Sequence, residues 1–351
     1  MKINYLNFFT VLSIISLVSC GDSEDPIVAE KDYRLEIESI ANNVIVETYT
    51  ELAEKADELL AVMAKFQLDP SSQNLEEAKQ SWRETRAPWE KSEGFLFGPV
   101  DTEGIDPAID SWPVNQVDLN NVLASDATLD VDFVQALDGT LKGFHTVEFL
   151  LWGGDGKKTV DQFTDREFKY LMATTAVLSI DTKTLISAWS AAQGNFVSNL
   201  LNAGNAGSIY ISQKSVLEEL ANGILGIADE VGNGKINDPL EQEDLSLEES
   251  QFSDNSKEDF ANNIRSIQNI YNGLNGMGLS NVVSENDVEL DEKIKNEIQF
   301  AIESIESIPG TFTEAIPADS PSRVAAEDAQ ESVRVLQTTF ESSLIPLISG
   351  L

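Results

Sequence analysis

Sixty acidic side chains against 23 basic ones give this 351-residue chain a formal net charge of −37. So negative a surface repels phosphate backbones and anionic headgroups, which argues against nucleic-acid binding and broad membrane adsorption, and it suits cations; solubility of a secreted protein also accounts for it. With 42% hydrophobic residues the chain can fill two ordinary cores.

At the N-terminus, Lys2 precedes an apolar stretch from Phe8 to Val18 that closes on Leu17-Val18-Ser19-Cys20 before Gly21. The stretch is too short to span a bilayer as a mature helix. A basic start, a short apolar centre and small residues before the cut describe a secretory signal peptide over residues 1–19. The cysteine directly after the cut makes the segment resemble the bacterial lipoprotein signal. That resemblance implies acylation (palmitate) at Cys20 and a lipid-anchored place in the cell envelope, at the periplasmic face of the outer membrane or at the cell surface. An ordinary signal peptide with an incidental cysteine is the alternative. Residues 20–32, with Asp22-Ser23-Glu24-Asp25 and Pro26, read as an acidic tether. Cys20 is the chain's one cysteine, so no internal disulfide forms.

Helical periodicity recurs along the rest of the chain and strand alternation does not. Residues 33–66 place Ile37, Ile40, Val44, Leu52, Leu59, Met63 and Phe66 on one stripe. Pro70 and Ser71-Ser72 start a second helix running to about Ser92, which Pro88 is expected to kink. Residues 94–131, rich in Gly, Pro, Asp and Asn, predict a long irregular connection, and connections of that length are usually functional or disordered. A third helix is expected over 131–152, ending at Gly153-Gly154-Asp155-Gly156; Lys157-Lys158-Thr159 follows without the spacing of a phosphate loop. A long helix over 161–201 comes next, and the Asn/Gly/Ala stretch 202–208 marks a candidate boundary. Helices near 211–231, 256–273, 286–307 and 319–346 complete the reading, with another acidic connection at 232–255. The fold class expected is all-α, two helical bundles over residues 33–202 and 208–351 packed around an interdomain cleft.

The stretch "GFHTVEFLLWG", 143–153, holds the chain's one histidine, His145, three residues before Glu148. At that spacing both side chains share a helix face. Phe149, Leu150 and Trp152 make the following turn apolar all round, as in a helix buried between others. A carboxylate there needs a hydrogen-bond donor or a cation, or stays protonated. One reading is a satisfied polar network in which His145, Glu148 and an arginine such as Arg83 or Arg86 tie helices together. The other is a metal site, because bundle carboxylate sites present His and Glu at this spacing. With no second imidazole and no H-E-x-x-H, the chain cannot build the usual zinc-protease site, and one histidine among carboxylates favours a harder cation such as iron or calcium. Nucleophilic triads are disfavoured as well, since G-x-S-x-G is absent and every histidine role would fall on His145.

These residues resemble the imelysin-like family, which includes insulin-cleaving membrane proteases and iron-regulated proteins. Its G-x-H-x-x-E signature is matched by 143–148, and "WRETRAPWEKSEGFLFGP" (82–99), "DSWPVN" (110–115) and "FSDNSKEDFANNIRSIQNIYNG" (252–273) are similar to its further blocks. The resemblance implies two helical bundles meeting at a cleft lined by the G-x-H-x-x-E helix and the S-D-N segment, an envelope location, and a link with iron acquisition through an iron transport system. It makes His145 and Glu148 the expected metal ligands. Ser253, Asp254, Asn255, Arg86, Glu93 and Trp112 are the further cleft candidates, although tryptophans are more often core or loop anchors. One departure stands out: many relatives carry histidine and cysteine just before F-S-D-N and another histidine soon after, where this chain has Glu249-Ser250-Gln251 and Lys257.

The expected function is binding of a metal ion or small ligand in the cleft, serving iron uptake, without hydrolysis. A metallopeptidase in which Glu148 activates water on a metal held by His145, and a non-catalytic module for an envelope protein, are the alternatives.

Overall fold

The computed structural model of the chain describes residues 31–274 and 276–351. The signal peptide, Cys20 and nearly all of the acidic tether lie outside those residues. All regular structure among the described residues is helical, as the periodicity predicts. No described helix is long and apolar enough to cross a membrane.

Residues Tyr33–Leu351 form one compact unit. A short helix, Arg34–Ser39, and a π-helical turn, Ile40–Val46, lead into α1, Glu47–Leu68. The helix α2, Ser72–Glu90, starts where Ser71 caps it by accepting from the backbone N–H of Asn74, and ends two residues after Pro88. Then come α3, Gly143–Trp152, and α4, Asp165–Trp189, the latter opened by a Thr164/Glu167 capping box. The second half contributes α5, Gln213–Glu230, α6, Ser256–Asn272, α7, Val288–Glu306, and α8, Arg323–Thr339.

In the first half α1 packs on α2 and α4, and α3 is wedged against α2 and α4. In the second half α5 and α7 both pack on α6 and on α8. The halves meet where α6 lies along α2 and α5 abuts the turn Glu93–Phe95. All ten residues of α3 are buried, as its apolar surround predicts.

Three elements differ from the sequence reading. The helix expected over 131–152 is broken into Val131–Gln135, the 3-10 turn Gly139–Leu141 and α3. The interruptions lie at 136–138 and at Lys142, just before Gly143, whose φ is +75°. The connection 94–131 is not irregular: it folds into the short helices Pro99–Thr102, Ile105–Asp110 and Gln116–Ala124. The long helix expected over 161–201 stops at Trp189, where the chain turns through Asn195 at φ 59° before the single-turn helix Val197–Leu201.

Candidate functional site

His145 enters the seam between the halves from the first turn of α3, and the glycine two residues before it sets its surroundings. A Cβ on Gly143 would overlap the carbonyl oxygen of Ile109, so only glycine lets the end of the helix Ile105–Asp110 lie against the start of α3. That approach delivers Asp110 to His145, with Oδ1 3.1 Å from Nε2. The contact lacks the alignment of a hydrogen bond, and Nε2 has no directed partner. On the other side of the ring, Nδ1 lies 3.2 Å from Glu148 Oε2, the i, i+3 pairing the spacing predicts.

Glu148 is fully engaged. Its Oε1 accepts from the backbone N–H groups of Phe252 and Ser253 at 3.1 and 2.9 Å and from the Ser253 hydroxyl at 2.7 Å. The segment 252–255 thus clasps Glu148 from the second half, which is the geometric link between the two sequence blocks. In this arrangement Glu148 is not among the side chains whose donor atoms converge; it orients the imidazole. Asp254, at φ 57°, is exposed and accepts from Thr313, while Asn255 donates to Asp259 at 2.7 Å. Trp112 is half-buried and donates from its indole N–H to the carbonyl of Glu248 at 2.9 Å. Arg83 donates to the Ser253 carbonyl at 2.9 Å.

Arg86 is the hub. Its guanidinium is wholly buried, lies over the Phe144 ring, and pairs with Glu90 at 2.6 Å, Glu249 at 2.9 Å and Asp110. Glu90 sits one helical turn beyond it on α2. Beside Arg86, the Lys235 ammonium lies 2.7 Å from Glu93 and 2.9 Å from Glu249. Lys235 is aimed inward by a π-helical turn, Val231–Lys235, at the end of α5; such turns are frequent at functional sites. From α6, Asn263 donates to Glu90 at 2.6 Å and Glu93 at 2.8 Å, and Asp259 accepts from Ser250.

The seam therefore buries the carboxyls of Glu90, Glu93, Asp110, Glu148, Glu248, Glu249 and Asp259 against three cationic side chains, Arg86, Lys235 and His145. Burying so many charges is affordable only if protons or cations neutralise the excess. Protons supply part of it. Burial pushes Glu90 and Glu93 well above the ordinary carboxylate range, against the pull of Lys235 and, for Glu90, Arg86. Burial likewise lifts Glu248 and Asp259 to about 7. Burial also favours the neutral form of Asp110, but the Arg86 charge and His145 overcome it and hold this carboxyl well below its usual range. Burial and the Arg86 charge push the His145 imidazole down, yet the Asp110 and Glu148 carboxylates close on either side of the ring outweigh them and hold it at about 9.

Among the described residues, two groups of donor atoms lie mutually within 4.8 Å: Asp110, His145 and Glu249, and Glu90, Glu93, Asp110 and Glu249. Glu249 and Asp110 belong to both. Glu249 Oε2, Glu248 Oε2 and Asn263 Oδ1 are buried without a hydrogen-bond partner. Buried polar atoms are otherwise almost always paired, so these mark a place where a ligand's bonds are owed. One imidazole with carboxylates fits a hard or borderline cation and does not fit a thiolate-seeking one.

Of the sequence-derived candidates, His145, Glu148, Ser253, Asn255, Arg86 and Glu93 come together in this buried network, and Trp112 and Asp254 sit at its edge. The residues that sequence reasoning did not single out are Asp110, Glu249, Lys235, Glu90 and Asp259. One carried a legible signal: Glu90 stands i, i+4 from Arg86 on a face flanked by Trp82 and Trp89, a charged pair on an inward stripe. The seam was expected to be an interdomain cleft; in the structure His145 and Glu148 are buried in it, 1% and 0% exposed.

An all-helical fold with a buried carboxylate network reached by G-x-H-x-x-E defines the class of protein. The chain belongs to the imelysin family, whose model matches residues 45–340. It is 28% identical over 337 residues to the iron-regulated protein A of Synechococcus elongatus, covering 94% of this chain and 89% of that protein. Two solved structures share its fold. A candidate iron-regulated protein A precursor from Parabacteroides distasonis superposes with a TM-score of 0.78 at 24% identity, covering 90% of this chain and 96% of its own. An imelysin-like protein from Psychrobacter arcticum superposes with a TM-score of 0.74 at 14% identity, covering 90% and 95%.

Proposed function

We propose that this protein binds a hard cation, iron in the first instance, in the seam between its helical halves, and that it does so as a lipid-anchored envelope protein serving iron uptake. Asp110, His145 and Glu249 would hold the ion. Glu148 fixes the imidazole from behind, as carboxylates commonly do for metal-bound histidines. The observation that carries the reading is the surplus of buried carboxyls together with the unpartnered Glu249 Oε2. The name of the Synechococcus relative connects that protein with iron, and the envelope assignment rests on the lipoprotein-like sequence ending at Cys20.

Glu249 gives the reading a feature particular to this chain. It stands in the short stretch where the family resemblance leads one to expect histidine and cysteine, and it supplies a carboxylate to both donor groups. A carboxylate there shifts the preference toward oxygen-seeking ions.

Hydrolysis is not part of the proposal. A peptidase base needs a free lone pair facing water, whereas Glu148 accepts from three donors on one oxygen and faces His145 with the other. Calorimetry of the purified protein with ferrous, ferric, calcium and zinc ions tests the binding. Affinity for an iron ion that is lost in Glu249→Gln supports the site. No binding by any of the four would leave the seam a purely structural network. Cleavage of a denatured protein, abolished in His145→Ala and by chelation, would turn the reading to a metallopeptidase. Mass spectrometry of the mature protein for an acylated Cys20 tests the anchor.

A further inference from the structure

A cavity of about 430 Å³ shares none of the seam's residues. Phe196 lines it, with its ring resting directly on the backbone of Gly98. Gly98 has a φ of +72°, and any Cβ there would enter that ring. Phe196 is in turn held edge-on by Trp189, with centroids 4.8 Å apart. One wall is Tyr210, on a loop tied in place at several points. Ser208 Oγ donates to the Asn199 carbonyl at 2.6 Å, the Ile209 N–H to Asn199 Oδ1 at 3.2 Å, and the Gly204 N–H to the Tyr210 carbonyl at 3.0 Å. This fixed loop holds Ile209 and Ile211 out at the mouth, 64% and 88% exposed.

Along with the hydroxyls of Thr102 and Ser215, the lining carries one charge, Glu219 of α5. Its carboxylate has no ion pair and no hydrogen bond among the described residues. Burial already raises its pKa, so the charged form lacks some of the solvation it would have in water. An unpaired carboxylate sharing a cavity with Phe196 and Tyr210 rejects anions and rewards a positive group. A bare metal ion finds only one carboxylate there. The volume falls within the range of small-molecule sites.

We propose that this cavity binds an organic ammonium ion, with the cationic nitrogen at Glu219 and an apolar body against Phe196, Tyr210 and the two isoleucines. The same chemistry is offered by a free amine and by a lysine side chain of a polypeptide. A volume of about 430 Å³ has room for a whole small amine, so the proposal commits to the free amine.

The test uses the mature chain and four probes: cyclohexylammonium, benzyltrimethylammonium, the neutral analogue cyclohexanol, and Nα-acetyl-lysine methylamide. Binding is read by saturation-transfer NMR and by the fluorescence change of Trp189. Charge-assisted contacts predict that cyclohexylammonium binds at least about 10-fold more tightly than cyclohexanol. Glu219→Gln, which breaks no internal bond and so keeps the fold, should erase that difference. Ile211→Ser should weaken both probes alike. Tighter binding of the lysine amide than of either free ammonium would support the chemistry and assign its source to a polypeptide. Equal affinity for cyclohexanol and cyclohexylammonium, an unchanged affinity in Glu219→Gln, or no binding of any probe would overturn the proposal.

Discussion

Gly143 and Ile109 touch backbone to backbone, and that contact places Asp110 beside His145. The glycine of G-x-H-x-x-E thus works through its missing side chain, whereas the histidine and glutamate work through theirs.

Gly143→Ala should therefore damage both fold and site. The new Cβ meets a carbonyl that cannot swing aside, at a φ of +75° that side chains resist. A loss of about 2–4 kcal/mol is expected from strain and overlap together. Urea unfolding measures the stability, and cation calorimetry on the remaining folded protein should find weakened binding as Asp110 withdraws.

Arg86→Met removes the one side chain that pairs with Glu90, Asp110 and Glu249 together. Breaking a buried pair by deleting one partner typically costs about 3–5 kcal/mol, and thermal unfolding at pH 8 should show a loss of that order. The direction of pH dependence is fixed by the carboxyls. Asp259 has its folded pKa raised to about 7 from 3.8, so below 7 the folded state takes up protons that the unfolded state does not. Without Arg86 this upward pressure increases, so stability should recover between pH 8 and pH 5.5. A variant equally unstable at both values would contradict the network's electrostatics.

Glu148→Gln isolates the orienting role. The amide oxygen can still accept from Phe252 and Ser253, so the fold should keep its unfolding temperature to within a few degrees. The amide nitrogen would then face His145 Nδ1 and donate to it, forcing the ring proton onto Nε2, the atom that faces Asp110. A metal-bound nitrogen cannot carry that proton. Cation affinity should fall about 10–100-fold, the usual cost of losing an outer-shell partner. Nitrogen NMR of the imidazole above pH 9, where the ring is neutral, reports the tautomer, and an unchanged tautomer with unchanged affinity would remove Glu148 from the site.

How much of this could be read from the sequence depended on how far each feature is set by local spacing. Ile37, Leu52, Leu59 and Met63 recur at helical intervals and are all buried, so the long helices were legible. The elements between 94 and 131 were not, because helices of four to nine residues are too short to show a period. The break after Trp189 had a signal in Gly194-Asn195 that the surrounding apolar residues masked. In the site, His145 and Glu148 declared themselves by spacing, and Ser253 and Asn255 through the family resemblance. Asp110 and Glu249 did not, because each stands at the end of a segment whose direction is set by contacts distant in sequence. Lys235 was hidden for a different reason: a π-helical turn rotates it inward, out of phase with the 3.6-residue stripe of α5.

Asp106 lies four residues before Asp110 on the same short helix and gives a prediction outside the donor groups. Burial, then the charges of Asp110 and Glu230, lift its carboxyl from 3.8 to about 6. Its folded pKa lies above its unfolded one, so the folded state binds the extra proton between those values. The stabilisation is fully present below about pH 4 and is lost as pH rises through 6. Above pH 6 the ionised group costs up to about 3 kcal/mol at 1.36 kcal/mol per unit, less the screening its partial exposure allows. Asp106→Asn keeps the shape and removes the charge. It should raise the unfolding free energy at pH 8 by roughly 1–2 kcal/mol, leave it unchanged at pH 4, and flatten the slope between. Chemical denaturation at the two pH values reads this directly, and equal effects at both would show that the Asp106 charge is solvated in the folded protein.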